Sequence, residues 1–199
     1  MGTKLVILEG HRAAGKTSVT RHIRETVNHL TWINPTGYPD KGEEGLLKMI
    51  DYYSSWIDFL WGMSTKPNDF TVLFDRFYMS ELVYSSLYKD YDFMGTFDYL
   101  NSQLRTLNME VHFVQLEVAD DAVVESRLSR DKVSFEVEDT LEQIDHQRTM
   151  YQKAFTYLKD YYEALPQEKK PNWHFHLVDG GQSTPEQLSQ EIVKLTNLA

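Results

Sequence analysis

Gly10-His11-Arg12-Ala13-Ala14-Gly15-Lys16-Thr17 is a stretch equipped to hold phosphate groups. A glycine, four residues, a second glycine, a lysine and a hydroxyl residue form the spacing of a phosphate-binding loop. Four apolar residues, Leu5-Val6-Ile7-Leu8, run into it, and Val19, Ile23 and Val27 recur at helical spacing after it. Backbone N–H groups at the start of that helix would face an anion, and the helix dipole favours the same charge. Gly10 and Gly15 fit because a Cβ would block the turn or the approach of phosphate. The donor site is therefore expected over Gly10, His11, Arg12, Ala13, Ala14, Gly15, Lys16, Thr17 and Ser18. Lys16 would reach the β- and γ-phosphates of ATP, and the Thr17 hydroxyl would hold Mg²⁺.

A second group of reactive side chains is Asp75-Arg76, at the end of the apolar run Val72-Leu73-Phe74. A charged pair in that position needs partners. Asp75, with Glu9, is expected to arrange metal-bound water or the acceptor. Arg76 would grip an acceptor phosphate through its planar fork. Ser80 reads as the N-cap of the following helix. Arg127 and Arg130 lie three residues apart and share a helix face. Positive charge that closes over a transferring phosphoryl group accelerates transfer, and both are expected to do this. Arg148 interrupts an apolar stripe formed by Leu141, Ile144, Tyr151, Phe155 and Leu158. It must either snorkel or meet an anion, and the expectation is that it faces the phosphates. Trp56 sits on a long apolar helix and is a candidate for stacking on a nucleobase. The seven histidines show no metal-ligand spacing; His174-x-His176 would share a strand face without an evident third ligand, so no zinc site is expected.

These residues need a scaffold that gathers them at one end of a sheet. Short β-like runs at 4–9, 30–34, 71–77, 112–118 and 175–179 alternate with helical patterns at 42–63, 119–130 and 140–165. Alternation of this kind implies an α/β fold with a parallel five-stranded sheet flanked by helices. Ligands then sit beyond the carboxyl ends of the strands, where the phosphate loop, Asp75-Arg76 and Gly180-Gly181 all fall. The whole of 1–199 reads as one domain, with a mobile lid at about 125–138.

Size and charge narrow the field further. The chain has 199 residues and a formal charge of −10. Such a surface disfavours a long nucleic-acid groove but allows a local basic pocket for a small anion. It contains no cysteine, which excludes disulfides and thiolate metal sites and fits a cytoplasmic setting. The first strand begins within a few residues of Met1, so no signal peptide is expected, and no apolar run approaches a membrane span.

The chain resembles thymidylate kinase-like P-loop kinases, within the wider nucleoside and nucleotide kinase group. Leu8-Glu9-Gly10 with Gly15-Lys16-Thr17 is similar to that family's Phe-Glu-Gly opening. Asp75-Arg76-Phe77-x-x-Ser80 is similar to its Asp-Arg-Tyr-x-x-Ser. Leu116-Glu117-Val118 followed by Arg127 and Arg130 is similar to its lid segment, and Arg148 with Tyr151 to its Arg-x-x-Tyr. Val178-Asp179-Gly180-Gly181, Pro185-Glu186 and Glu191-Ile192 resemble its closing strand, adenine-side loop and last helix. The resemblance implies a P-loop kinase fold with mobile lid, Mg²⁺-assisted transfer from ATP, and a homodimer through the long aromatic helix.

The acceptor side departs from the pattern. Arg12 stands where the family usually has an acidic residue, Ala13 stands where some members have arginine, and the Arg-Glu-Pro loop reads Ile33-Asn34-Pro35. The expected activity is transfer to a deoxynucleoside monophosphate, with Arg12 and Arg76 positioning the acceptor. Two readings stay open beside it: phosphorylation of a hydroxyl on a nucleoside or a modified base in DNA, and a non-catalytic ATP-binding module.

Overall fold

The computed structural model describes residues 3–35, 37, 40–66, 70–129 and 140–198. The strands are β1 (Lys4–Glu9), β2 (Leu30–Ile33), β3 (Thr71–Asp75), β4 (Glu110–Glu117) and β5 (Trp173–Asp179). They form one sheet in the order β2-β3-β1-β4-β5, and every pairing is parallel. The helices are α1 (Lys16–Thr26), α2 (Gly42–Ser64), α3 (Tyr78–Tyr88), α4 (Met94–Leu104), α5 (Asp121–Leu128), α6 (Leu141–Glu163) and α7 (Pro185–Leu195). This is the parallel α/β architecture that the alternation predicts.

β1 lies at the centre of the sheet, and Leu5 to Leu8 are buried on both faces. One face carries a core of Leu5, Ile7, Phe74 and Phe113 beneath α2, α3, α4 and α6. The other carries Val6, Leu8, Val114 and Leu116 beneath α1, α5 and α7. Side chains on a strand alternate between faces, so the unbroken apolar run in β1 feeds both cores at once. None of the described helices is long and apolar enough to cross a membrane.

Several elements differ from the sequence pattern, among them β4 and β5, which start two residues earlier, at Glu110 and Trp173. β3 stops at Asp75 rather than at Phe77, because Arg76 turns to a left-handed φ of 75°. Phe77, not Ser80, then holds the N-cap position of α3, and Ser80 lies inside the helix. α4 is an additional helix whose Phe97, Leu100 and Leu104 are fully buried. Of the expected lid, α5 accounts for the first residues; Arg130 and the rest, to residue 138, lie outside the described residues.

Candidate active site

The carboxyl end of β1 opens into the phosphate loop. Gly10 has φ 142°, and a Cβ there would lie 2.3 Å from the Leu116 carbonyl oxygen, inside the neighbouring strand's backbone. Ala13 and Gly15 also have left-handed φ values, 62° and 94°. The chain curls tightly and α1 begins at Lys16. Gly15, its N-cap, offers no side-chain hydrogen bond, and the first turn contains no acidic residue. By contrast α5, α6 and α7 are capped by Asp120, Thr140 and Thr184. The positive end of α1 is thus left for an outside anion.

Lys16 is buried, and its ammonium donates to the Gly10 and His11 carbonyls, 2.7 Å each. Burial, reinforced by Arg76, holds its pKa well below that of a free lysine, while Asp75 and Glu9 act the other way. The His11 ring is fixed between backbone groups. Nε2 accepts from Val118 N–H at 3.3 Å, so Nδ1 carries the proton and donates to the Arg12 carbonyl. Burial, with Lys16 beside it, lowers the His11 pKa to about 3, and the ring is neutral at ordinary pH. Ser18 is exposed on the first turn of α1.

Asp75 comes to the loop from β3. Its Oδ2 accepts from the Thr17 hydroxyl at 2.8 Å, with Thr20 Oγ1 at 3.4 Å and Asn34 Nδ2 at 3.5 Å. Its Oδ1 is buried with no hydrogen-bond partner among the described residues. An orphaned carboxylate oxygen is costly unless something occupies the position. It lies on the same carboxylate as the oxygen that holds Thr17, and an oxygen-ligated divalent cation with its waters fits this donor set.

Arg76 is half-buried beside Asp75, and its backbone N–H donates to the Leu8 carbonyl at 2.9 Å. Its Nη1 lies 3.3 Å from both the Tyr84 and the Tyr151 hydroxyl. Glu9 does something different from Asp75. Oε1 accepts from Phe77 N–H at 2.7 Å and Oε2 from the Ser80 hydroxyl at 2.6 Å. A carboxylate from β1 therefore supplies the cap that Phe77, at the N-terminus of α3, has no side-chain oxygen to make. Burial pushes the Glu9 pKa up to about 7, against the opposing pull of Ser80, Phe77 and the nearby cations.

Arg12 is buried, and its backbone N–H donates to Gln147 Oε1 at 2.9 Å. Gln147 Nε2 donates to Tyr88 OH at 3.1 Å, and Tyr151 OH lies 2.7 Å from Ser80 Oγ. Ser80, Tyr84, Gln147 and Tyr151 thus join the loop to α3 and α6, and sequence reasoning did not assign them to the site. A sequence signal for them exists: Gln143, Gln147 and Tyr151 recur every four residues, a polar stripe inside a half-buried helix.

The remaining expected residues are dispersed. The Arg127 guanidinium donates to the carbonyls of Ala13 (3.2 Å), Ala14 (3.0 Å) and Gly180 (2.8 Å). In this conformation it braces α5 against the outer side of the loop and the β5–α7 turn. Arg148 pairs through Nη1 with Asp121 at 2.8 Å and with Asp145, while its buried Nε and Nη2 have no partner among the described residues. Trp56 packs edge-on against Phe74, Tyr52 and Phe59, with ring centroids 5.6, 6.2 and 5.8 Å away.

No protein-family model matches the sequence, and no curated protein matches it either. Solved structures do match. The YorR protein of Bacillus subtilis, determined with phosphorylated GDP, superposes with a TM-score of 0.62 at 20% identity, over 98% of this chain and 96% of that one. Thymidylate kinase from Candida albicans gives 0.58 at 15% identity, over 99% and 93%. Deoxyadenosine kinase from M. mycoides, determined with dCMP and dCDP, gives 0.58 at 13% identity, over 98% and 100%.

The chain has the P-loop kinase fold. Each likeness runs along nearly the full length of both chains and, at these identities, is a likeness of fold. Within the P-loop kinase fold the acceptors differ, as the names thymidylate kinase and deoxyadenosine kinase show, so the fold by itself names no acceptor.

Proposed function

We propose that this protein transfers the γ-phosphoryl group of ATP to a deoxynucleoside monophosphate. One observation carries the reading: Thr17 and Asp75 are hydrogen-bonded at the mouth of the phosphate loop, with the second Asp75 oxygen buried and unpartnered. Thr17 and Asp75 would hold Mg²⁺, which when bound neutralises charge on the donor phosphates. Lys16 and the N–H groups at the start of α1 bind those phosphates.

The acceptor argument rests on charge. Arg76 is a half-buried cation whose guanidinium donates to the Tyr84 and Tyr151 hydroxyls, while Arg148 is paired with Asp121 and Asp145. A guanidinium held in this way is suited to a second anion, in a chain that is otherwise acidic. A monophosphate oxygen is already nucleophilic and needs no strong base, which agrees with the engagement of both Glu9 oxygens at α3. Catalysis is then a matter of positioning and electrostatics.

One observation favours a second reading, a hydroxyl acceptor on a nucleoside or on a modified base in DNA. Glu9, raised to about 7, has the proton affinity of a base working near neutrality. The net charge of −10 disfavours the DNA version. ADP release with a panel of deoxynucleosides, their monophosphates and modified DNA separates the readings. Monophosphate-dependent release that Lys16→Ala abolishes supports the first. Release only with nucleosides or DNA supports the second. ATP binding without release in any arm leaves a non-catalytic ATP-binding module. On this proposal 1–199 is one cytoplasmic domain whose expected lid, about 125–138, lies from 130 onward outside the described residues, and the exposed Leu47 and Trp61 on α2 favour a homodimer.

A further inference from the structure

Four side chains on the β4–β5 ladder form a group that phosphotransfer does not use. The register sets His112 opposite His174 and Val114 opposite His176. Residues two apart share a face, so Glu110, His112, His174 and His176 all project from the α1–α7 side of the sheet. Glu110 pairs with Lys4 at the start of β1, while the phosphate loop follows Glu9 at its far end. Five residues of strand separate the two levels, about 16 Å.

The atoms that could bind an ion already converge. His112 Nε2 is 2.8 Å from Glu110 Oε1, and His174 Nε2 is 3.7 Å from the same oxygen. One atom from each of Glu110, His112 and His174 falls within 4.8 Å of the others. Ligands about 2.0–2.1 Å from a tetrahedral ion sit about 3.3 Å from each other, so little movement is needed to close on one. His112 is buried and its second nitrogen, Nδ1, lies 3.0 Å from His176 Nε2. A ligating imidazole is normally oriented by a hydrogen bond of this kind on its other nitrogen. Lys4 lies 3.8 Å from Glu110 Oε2, and its ammonium is also held by the carbonyls of Thr196 and Asn197, which leaves Oε1 to the histidines.

We propose that Glu110, His112 and His174 bind one divalent metal ion of the zinc class, with His176 as the positioning residue for His112. Two imidazoles and a carboxylate suit zinc or its neighbours rather than the oxygen-only preference of Mg²⁺. Three protein ligands leave a fourth position open. The ion would fasten the edge strand β5 to β4, and this proposal does not depend on the phosphotransfer reading.

Zinc titrated calorimetrically into the chelator-treated chain, with magnesium in excess, tests it. One saturable equivalent is expected, and His174→Ala and Glu110→Gln should each weaken it by roughly tenfold or more. His174 is exposed, so its variant should fold normally. His176→Ala should weaken zinc binding without moving the melting temperature of the metal-free chain, and His176→Gln, which keeps an acceptor, should restore it. Lys16→Ala, at the other end of the sheet, should bind zinc normally. Absence of saturable binding, or equal binding by the parent, His174→Ala and Glu110→Gln, would overturn the site. Zinc affinity unmoved by His176→Ala would remove His176 from it.

Discussion

Thr17 and Asp75 are 58 residues apart in sequence and share a 2.8 Å hydrogen bond at the top of β3. Their joint position makes Asp75 the sharpest test of the metal assignment. Asp75→Asn keeps the shape and loses the charge. Turnover should fall roughly 100-fold, with a raised Mg²⁺ requirement and an unchanged melting temperature. Turnover within a few-fold of the parent would separate Asp75 from the metal.

Glu9 and His11 give opposite pH slopes. The folded Glu9 carboxyl titrates at about 7 rather than at the ordinary 4.5, so the folded state binds the extra proton between those values. Its contribution to stability is present below pH 4.5 and is lost as pH rises through 7. His11 titrates at about 3 rather than 6.5, so the unfolded state binds the extra proton there and stability is lost as pH falls through that window. Between about pH 4.5 and 6.5 the two offset each other. Glu9→Gln can still accept from Phe77 and removes one slope. Its melting temperature should therefore fall more steeply than the parent's on acidification from pH 6.5 to 4.5, as thermal melts across that range would read.

Reversing the charge of Arg12 tests its proposed role towards the acceptor. Arg12→Asp is expected to lower kcat/KM for the monophosphate by roughly 10- to 100-fold, the value of a charge-assisted contact, while ATP affinity holds within about twofold. Equal losses on both substrates would place Arg12 on the donor phosphates instead.

Two glycines should respond in opposite directions. In Gly10→Ala the new methyl meets the Leu116 carbonyl, which is backbone and cannot step aside, at a φ that disfavours a side chain. A loss of at least about 2 kcal/mol is expected, or roughly 4–8 °C in melting temperature. Gly62, within α2, has nothing within 4 Å of a new Cβ. Gly62→Ala should stabilise by about 0.5–1 kcal/mol.

The parallel sheet and the phosphate loop were legible because they depend on local patterns: apolar runs, helical spacing and glycine positions. Asp75 was legible because it ends an apolar run. What stayed hidden depends on pairing between distant residues. Ser80 has the chemistry of an N-cap, but Glu9, 71 residues earlier, takes that role by accepting from Phe77 N–H, and the Ser80 hydroxyl donates to the same carboxylate. Arg127 carries the charge expected of a lid, yet the turn at Gly180 supplies a carbonyl that only folding brings near. His174 and His176 were visible as a pair, but His112 and Glu110 join them only through the β4–β5 register. α4 had a helical signal in Phe93, Phe97, Leu100 and Leu104, yet it follows α3 without an intervening strand and so breaks the alternation.

The central place of β1 also has a consequence for synthesis on the ribosome. Lys4 pairs with Thr71 on one side and Glu110 on the other. At bacterial-like elongation of about 5–20 residues per second, the first partner strand emerges roughly 3–13 s after β1 and the second later still. Leu5 to Leu8 therefore wait as an unpaired, fully apolar β segment, the kind that sticks to its copies on neighbouring nascent chains. Slower translation, or a shortage of chaperones that hold early segments, should lower the yield of this protein more than its final stability would suggest.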